Sequence, residues 1–529
     1  MPTRNPVKES TEEVGPFGNP DGARAQIEDL LSSFVDFSGA PAFGDLATRA
    51  GDASARVIVG KLGAGKTVYL RRLQDFQARQ DSVYADHPQQ SLPSTELIVR
   101  ACQWFPEHLL TEKWIRMWHR AIFRSLATHL LYHRDLSAHL PGDLRESIPR
   151  DYRGLLGEAR RPRSIYSQLA TIINEAHSAH SLTKYLDDDR WDDLEYDLAD
   201  AVRGCPPVFF YLDAIDDAFH YAPMYWLRCQ LGLFYMTMRL LRDARLGGRL
   251  HIVISIRDIV LSSVYRDEHA PKYIGEPHIR VLDWSGEALE YLLRAKIRML
   301  PSDYRMTEDR DGETVASWLG AEWIHNERRG VDENLSTYLL RHTRLIPRDL
   351  VALGNALCHE VTRQRAAGTA EFPPQVLRDV VSRCARRFGN SQLSVVANQL
   401  ASDLMPRKAA IRGYGDTYIG SEEYASGLKG DVRDLLGIHG KDLFSAAELA
   451  QLESATDATL QGECHLATVL WQNGLLGYRE GQLTHFYSLS RMDEFDIPRD
   501  AAEYVLHPCL IDAVPGLDSV GKHPVVPFG

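Results

Sequence analysis

The sequence predicts an α/β protein: a P-loop-type parallel sheet with a helical lid, a large helical insertion and a C-terminal winged helix-turn-helix domain. Three observations carry that expectation. The run Gly60-Lys61-Leu62-Gly63-Ala64-Gly65-Lys66-Thr67 fits G-x-x-x-x-G-K-[ST] and stands between the apolar Val57-Ile58-Val59 and a helix-compatible stretch over 68–77. Continuous apolar runs bounded by turn residues recur at 208–212, 250–256 and 278–282, the pattern of strands buried on both faces. Helical segments separate these runs, notably 225–245, as in successive βαβ units.

A chain of 529 residues exceeds what one core usually supports, so several domains are expected. The net charge of −12 argues against a protein that coats nucleic acid through bulk charge, and leaves only local basic patches to consider. Seven scattered cysteines, never arranged as C-x-x-C, indicate neither a disulfide framework nor a zinc site and favour a reducing, cytoplasmic setting. The polar first residues lack the apolar core of an export signal, and no apolar stretch reaches the length of a membrane span. No membrane association is expected.

In chain order, residues 1–14 read as a disordered tail. Gly15-Pro16-Phe17-Gly18 reads as a turn before a helix capped by Asn19, with Pro20 at its first position, running through Ile27, Leu30, Leu31 and Phe34. The sheet domain spans 15–284, with a second strand expected at 96–101. From 102 to 204 the pattern is helical, with Trp104, Trp114 and Trp118 at helical spacing. Within it, Arg145, Arg150, Arg153, Arg160, Arg161 and Arg163 precede an acidic stretch over 187–200; solvated faces or a mutual contact is the favoured reading. A helical lid follows at 285–385, with Ser285 capping its first helix and Pro347 fixing the start of another. Residues 386–510 form the last domain, where a helix over 466–472 stops at Asn473-Gly474 and two short strands make a hairpin. Residues 511–529 read as a loosely held tail.

The glycines at 60, 63 and 65 let the backbone curl so that its N–H groups, including those of Ala64 and Val68, face phosphate oxygens. Lys66 is suited to the β/γ-phosphates and the Thr67 hydroxyl to Mg²⁺. At the end of the 208 run, Leu212-Asp213 has the form of a strand that delivers a carboxylate to the metal. The acid that polarises the attacking water is Asp216 or Asp217, with Asp217 preferred; an acidic turn capping the next helix is the competing reading. Ser255 and Arg257 end another strand and are candidate γ-phosphate sensors, with surface decoration the competing reading for the arginine; Arg348 in the lid is a candidate to reach a phosphate across the cleft, with an ion pair to a nearby acid the competing reading.

With the phosphate loop, the Leu-Asp-x-x-Asp-Asp element, the Ser-x-Arg strand end, the Pro347-Arg348 lid element and the terminal helix and hairpin, the chain resembles the AAA+/STAND branch of P-loop ATPases. Gly15-Pro16-Phe17-Gly18 and Pro347-Arg348-Asp349-Leu350 are similar to prokaryotic ATPases of the origin-recognition type. The resemblance implies ATP and Mg²⁺ as cofactors, a nucleotide-dependent switch, a sensor-one position at Ser255 and a sensor-two position at Arg348. It implies a homo-oligomer or an effector protein as partner, and relatives of this kind occur in antiviral conflict systems. Two departures stand out: no glutamate adjoins Asp213, which points to slow hydrolysis, and the insertion places Asp213 unusually far from Thr67.

A winged helix also makes duplex DNA a candidate partner, in an ATP-gated clamp. The helix over 466–472 carries no lysine or arginine and the wing offers only Arg479, so a protein-contact wing is favoured. The better basic cluster is Arg407, Lys408 and Arg412. A nucleotide-binding scaffold without turnover is the third reading.

Overall fold

The computed structural model of the chain describes residues 15–22, 25–32, 34–35, 55–87, 95–158, 160–213, 223–266, 270–307, 312–327, 330–369, 371–412, 422–481, 483–488 and 496–518. After a short helix α1 (Ile27–Ser32) come β1 (Val57–Gly60), α2 (Lys66–Ala78) and β2 (Tyr84–Ala85). An all-helical excursion follows: α3 (Thr95–Gln103), α4 (Glu107–Tyr132), α5 (Arg134–Ser137), α6 (Gly142–Asp151), α7 (Arg153–Leu156), α8 (Ile165–Glu175), α9 (Ala179–Leu186) and α10 (Arg190–Arg203). The sheet resumes with β3 (Val208–Leu212), α11 (Pro223–Leu241), β4 (Leu250–Arg257), α12 (Asp258–Tyr265) and β5 (Ile279–Leu282). These strands form one parallel sheet in the order β2-β3-β4-β1-β5. Every residue of β1 and β3 is buried, as expected for strands covered on both faces.

The second strand is a correction to the sequence reading. Residues 96–101 lie in helix α3, where Leu97, Ile98, Ala101 and Cys102 turn one face into the core. Their pairing at i, i+1, i+4 and i+5 is helical, yet the short apolar run mimics a strand. The edge strand is instead the two-residue β2, paired with β3. In the insertion, Trp114 and Trp118 are fully buried, as is Trp191, while Trp104 is only partly buried against the same core. Asp187 and Glu195 of the acidic stretch pair with Arg116 and Arg120 of α4, while Arg150 and Arg153 of the arginine run pair with their near neighbours Asp151 and Glu158. Tyr152 to Asp197, at 2.9 Å, is a contact between the two stretches.

Near the start of the described chain, Gly18 N donates to Gly15 O at 2.8 Å and closes the expected turn. Asn19 caps a turn at Asp21 rather than a helix, and α1 starts only at Ile27. Phe17 is buried 5.0 Å from the Trp318 ring, which fastens this segment to the lid.

The lid comprises α13 (Gly286–Arg298), α14 (Val315–Leu319), a hairpin of β6 (Trp323–Asn326) and β7 (Val331–Asn334), α15 (Leu335–Arg341) and α16 (Pro347–Ala366). Ser285 and Pro347 start α13 and α16 as read from sequence. The hairpin was not expected; its residues alternate between exposed and buried and are largely polar. No break occurs at 385/386, because α17 (Pro374–Arg412) runs through that boundary. Its first turns bury Leu377, Val381 and Cys384 in the lid core, and later ones bury Leu393, Val396 and Leu400 in the core shared with the insertion and the last domain.

The last part contains α18 (Glu422–His439), β8 (Leu443–Ser445), α19 (Ala446–Leu460), α20 (Leu466–Gln472), β9 (Leu476–Glu480), β10 (Leu483–Phe486), β11 (Glu503–Leu506) and α21 (Pro508–Ala513). Its antiparallel sheet has the order β10-β9-β11-β8. Residues 511–518 are not a loose tail: Cys509, Leu510, Ala513 and Leu517 are buried, and Asp442 N donates to Asp518 O. No described helix is long and apolar enough to cross a membrane.

Helix α11 lies so close to α4 that a Cβ on Gly232 would sit 2.9 Å from the Trp114 carbonyl carbon and 3.0 Å from Ile115 N. Backbone atoms cannot give way as a side chain can. Gly232→Ala is expected to lower stability by about 1–3 kcal/mol in denaturant unfolding, despite the better helix propensity of alanine.

Candidate functional site

Beyond Gly60 the chain leaves β1, turns with Ala64 N donating to Lys61 O at 3.1 Å, and enters α2 at Lys66. Gly63 and Gly65 have φ of 89° and 93°, in the left-handed region where a Cβ is costly. Gly63 also lacks room for one, since a Cβ would lie 2.9 Å from Ile346 Cδ1 and 3.0 Å from Arg348 Cβ. The turn aims the first amides of α2, those of Lys66, Thr67 and Val68, at the hollow of the loop, where the helix end favours an anion. Lys66 is buried, and its ammonium curls back to donate to the carbonyls of Gly60 at 3.0 Å and Lys61 at 3.1 Å. Trp284 Nε1 donates to Ala64 O at 2.9 Å and braces the far side.

Parallel register brings the carboxylate strand level with this loop. Leu212 pairs with Ile254 and Ile254 with Val57, so the next residues, Asp213, Ser255 and Ile58, share one level. Ser255 Oγ donates to Asp213 Oδ1 at 2.9 Å, and both residues are buried. With strands about 4.8 Å apart and β4 between β3 and β1, Asp213 stands roughly 10 Å across the sheet from β1. Helix α2 packs over β4, β2 and β1. Arg257 is level with Gly60, its guanidinium 5.6 Å from the Trp226 ring centre. Asp216 and Asp217 lie outside the described residues.

The donor set suits a magnesium nucleotide. A threonine hydroxyl and one carboxylate are hard oxygen ligands, too few for a self-contained metal cage, and Mg²⁺ in such sites takes its other ligands from phosphate and water. Among the described residues no group of three or more His, Cys, Asp or Glu side chains is placed to hold a metal ion.

Two other parts of the chain touch the loop directly. From the lid, Arg348 N donates to Gly63 O at 3.2 Å, while Arg348 Nε donates to Pro20 O at 3.3 Å. The turn that presents Arg348 carries consecutive left-handed residues, Arg344 (φ 46°) and Leu345 (φ 50°). A two-pronged pair from Arg344 to Asp349, at 2.6 and 2.8 Å, holds this costly backbone in place. From the last domain, Lys61 donates to Tyr487 O at 2.6 Å and lies 5.6 Å from the Tyr487 ring centre. Tyr487 Oη is 2.7 Å from Ser262 Oγ on α12, and Ser488 Oγ donates to Asp283. Burial pulls the Lys61 pKa down, against the opposing pull of Asp283 and Asp258.

Sequence reasoning missed Lys61 and Tyr166. Lys61 occupies a variable position of the loop motif, where any residue fits the pattern. Tyr166, in the insertion, donates its hydroxyl to Asp213 O at 2.8 Å, a contact between residues 47 apart for which no local pattern exists.

The candidate recognition helix offers little to DNA. Leu466, Ala467, Val469, Leu470 and Trp471 of α20 are buried, and Arg479 on the wing pairs with Glu503 at 3.2 Å. The side chains of Arg407, Lys408 and Arg412 lie outside the described residues. Comparison with protein-family models, with curated proteins and with solved structures finds no match for the chain.

The electrostatics around the loop make stability depend on pH. His507 caps α21 with its Nδ1 accepting from Cys509 N at 3.2 Å, and burial, then Arg344 and Lys61, push its pKa down to about 3. A histidine so depressed stays neutral in the folded chain, while the unfolded chain takes up a proton below the ordinary value of 6.5. Its contribution is intact above that value and falls as pH drops from 6.5 toward 3, by roughly 2 kcal/mol at pH 5. In urea unfolding at pH 7 and pH 5, His507→Asn, which keeps a capping acceptor but does not titrate, is expected to lose correspondingly less stability on acidification than the parent chain.

Proposed function

We propose that the chain is an ATP-binding, slowly hydrolysing molecular switch whose nucleotide state governs self-assembly or engagement of an effector protein. The observation that carries this reading is that lid and C-terminal domain both bond to the phosphate-type loop itself, through Arg348 to Gly63 and Lys61 to Tyr487. A change in the loop therefore reaches two parts of the molecule without an intermediary.

In this reading the amides of the loop and of the first turn of α2, residues 60–68, bind the phosphates, and Lys66 exchanges its two carbonyl partners for phosphate oxygens. Thr67 and Asp213 hold Mg²⁺, and Ser255 keeps the Asp213 carboxylate aimed. Bound ATP and Mg²⁺ supply the cleavable phosphoanhydride and the charge neutralisation that such cleavage needs. Asp217, or Asp216, orients the attacking water. Arg257 and Arg348 are the cations that report the γ-phosphate, Arg348 to the lid. Lys61, drawn toward phosphate, loosens its hold on Tyr487 and releases the last domain.

Lys66→Ala is expected to weaken ATP binding in calorimetry by roughly 100-fold. Asp213→Asn and Asp217→Asn are expected to retain nucleotide binding without metal while hydrolysis falls by about 100-fold. Unchanged binding and turnover in all three variants would remove the site assignment, and binding with no turnover in the parent chain would leave a scaffold. Small-angle scattering tests the transmission path: ATP and Lys61→Met should each expand the molecule, and the path is wrong if both leave its dimensions unchanged.

A further inference from the structure

The long helical insertion packs on the carboxylate strand, His129 of α4 meeting Phe210 edge-on at 5.0 Å, and adds one hydroxyl bond at the strand's end. Tyr166, in the first turn of α8, is fully buried and donates to the main-chain carbonyl of Asp213 at 2.8 Å. Asp213 lies just beyond the last register pair of β3, Leu212 with Ile254. Its side chain is held by Ser255 of β4 and its backbone by the insertion.

The insertion is built to keep that hydroxyl in place. Arg163, three residues before Tyr166, is gripped by α4 on both sides: Arg163 N donates to Thr128 Oγ1 at 3.1 Å, and Arg163 O accepts from Ser125 Oγ at 2.8 Å. Ser164 then caps α8 by accepting from Ser167 N. The Tyr166 ring meets Trp118 of α4 edge-on at 6.0 Å, and Trp118 Nε1 donates to Cys229 O of α11 at 2.9 Å. Helix α4 thus holds the elements on either side of Asp213 in sequence, α8 before it and α11 after it.

We infer that Tyr166 is a positioning residue for Asp213, through which the seating of the helical insertion sets the affinity of the nucleotide site for Mg²⁺. This rests on the proposed reading of Asp213 as the metal-side carboxylate. A carboxylate whose backbone is free to rotate must be ordered when the metal arrives, and the tyrosine meets that cost in advance. A buried tyrosine also needs an acceptor for packing reasons alone. The two roles separate in a metal titration.

The test is Mg²⁺-dependent ATP binding by the full chain, measured by calorimetry in EDTA and at increasing Mg²⁺. In Tyr166→Phe, binding in EDTA should match the parent, while the Mg²⁺ concentration for half-maximal tightening should rise roughly tenfold. Ser255→Ala should raise the same quantity, and the double variant should fall short of the product of the two effects, because both residues restrain one carboxylate. A purely packing role would lower the melting temperature and leave the Mg²⁺ half-point where it was; that result overturns the inference and leaves the nucleotide site standing. If the parent chain shows no Mg²⁺-dependent tightening, the site reading fails and the inference with it. Should Tyr166→Phe not fold, Thr128→Val, which releases Arg163 at a distance from the site, reads the same half-point, and an unchanged value there is equally adverse.

Discussion

The turn from β1 into α2 is the constraint on which the surrounding structure depends. Two left-handed glycines within eight residues bend the chain tightly between strand and helix. The carbonyls of the turn are attachment points for neighbouring groups: Gly60 and Lys61 for Lys66, Gly63 for the lid, Ala64 for Trp284. A side chain at Gly63 would separate the lid from the loop sterically as well as strain the turn. The loop is therefore a joint between the sheet, the lid and the last domain.

The opposite wall is organised around one carboxylate. Asp213 is restrained by a hydroxyl from the neighbouring strand and by another from the insertion, which itself packs on β3 and α11. The lid is tensioned in a comparable way. The left-handed pair Arg344 and Leu345 persists because Asp349 anchors the arginine and because Ile346 and Arg348 then sit on the loop. Strain there is held by the contacts it makes, so a change at the loop removes part of the reason for the turn.

Legibility followed burial geometry. The strands at 57, 208 and 250 were plain in the sequence because both faces are covered and their residues are mostly apolar, and α13, α16 and α20 were plain because serine, proline and Asn-Gly punctuate them. Residues 96–101 were misread because a helix that buries adjacent pairs shows the same short apolar run as a strand. The lid hairpin escaped notice because its strands are short and mostly polar, and 511–518 because a segment's docking onto its own domain leaves little local periodicity. The glycine-rich loop, Asp213 and Ser255 stood out because each lies at or near the end of a largely apolar strand; Tyr166 and Tyr487 did not, because each makes its contact from a distant part of the chain.

The sequence by itself determined the phosphate-type loop, the class of sheet that carries it, and the helical character of the insertion and lid. Those features are written in residues a few positions apart, where backbone conformation and alternate burial are local matters. Only the tertiary structure decided that β4 lies between β1 and β3, that Ser255 meets Asp213, and that the lid, the insertion and the last domain all close on one site. Strand order and such contacts depend on which surfaces bury each other across hundreds of residues, and no local pattern of side chains encodes that choice.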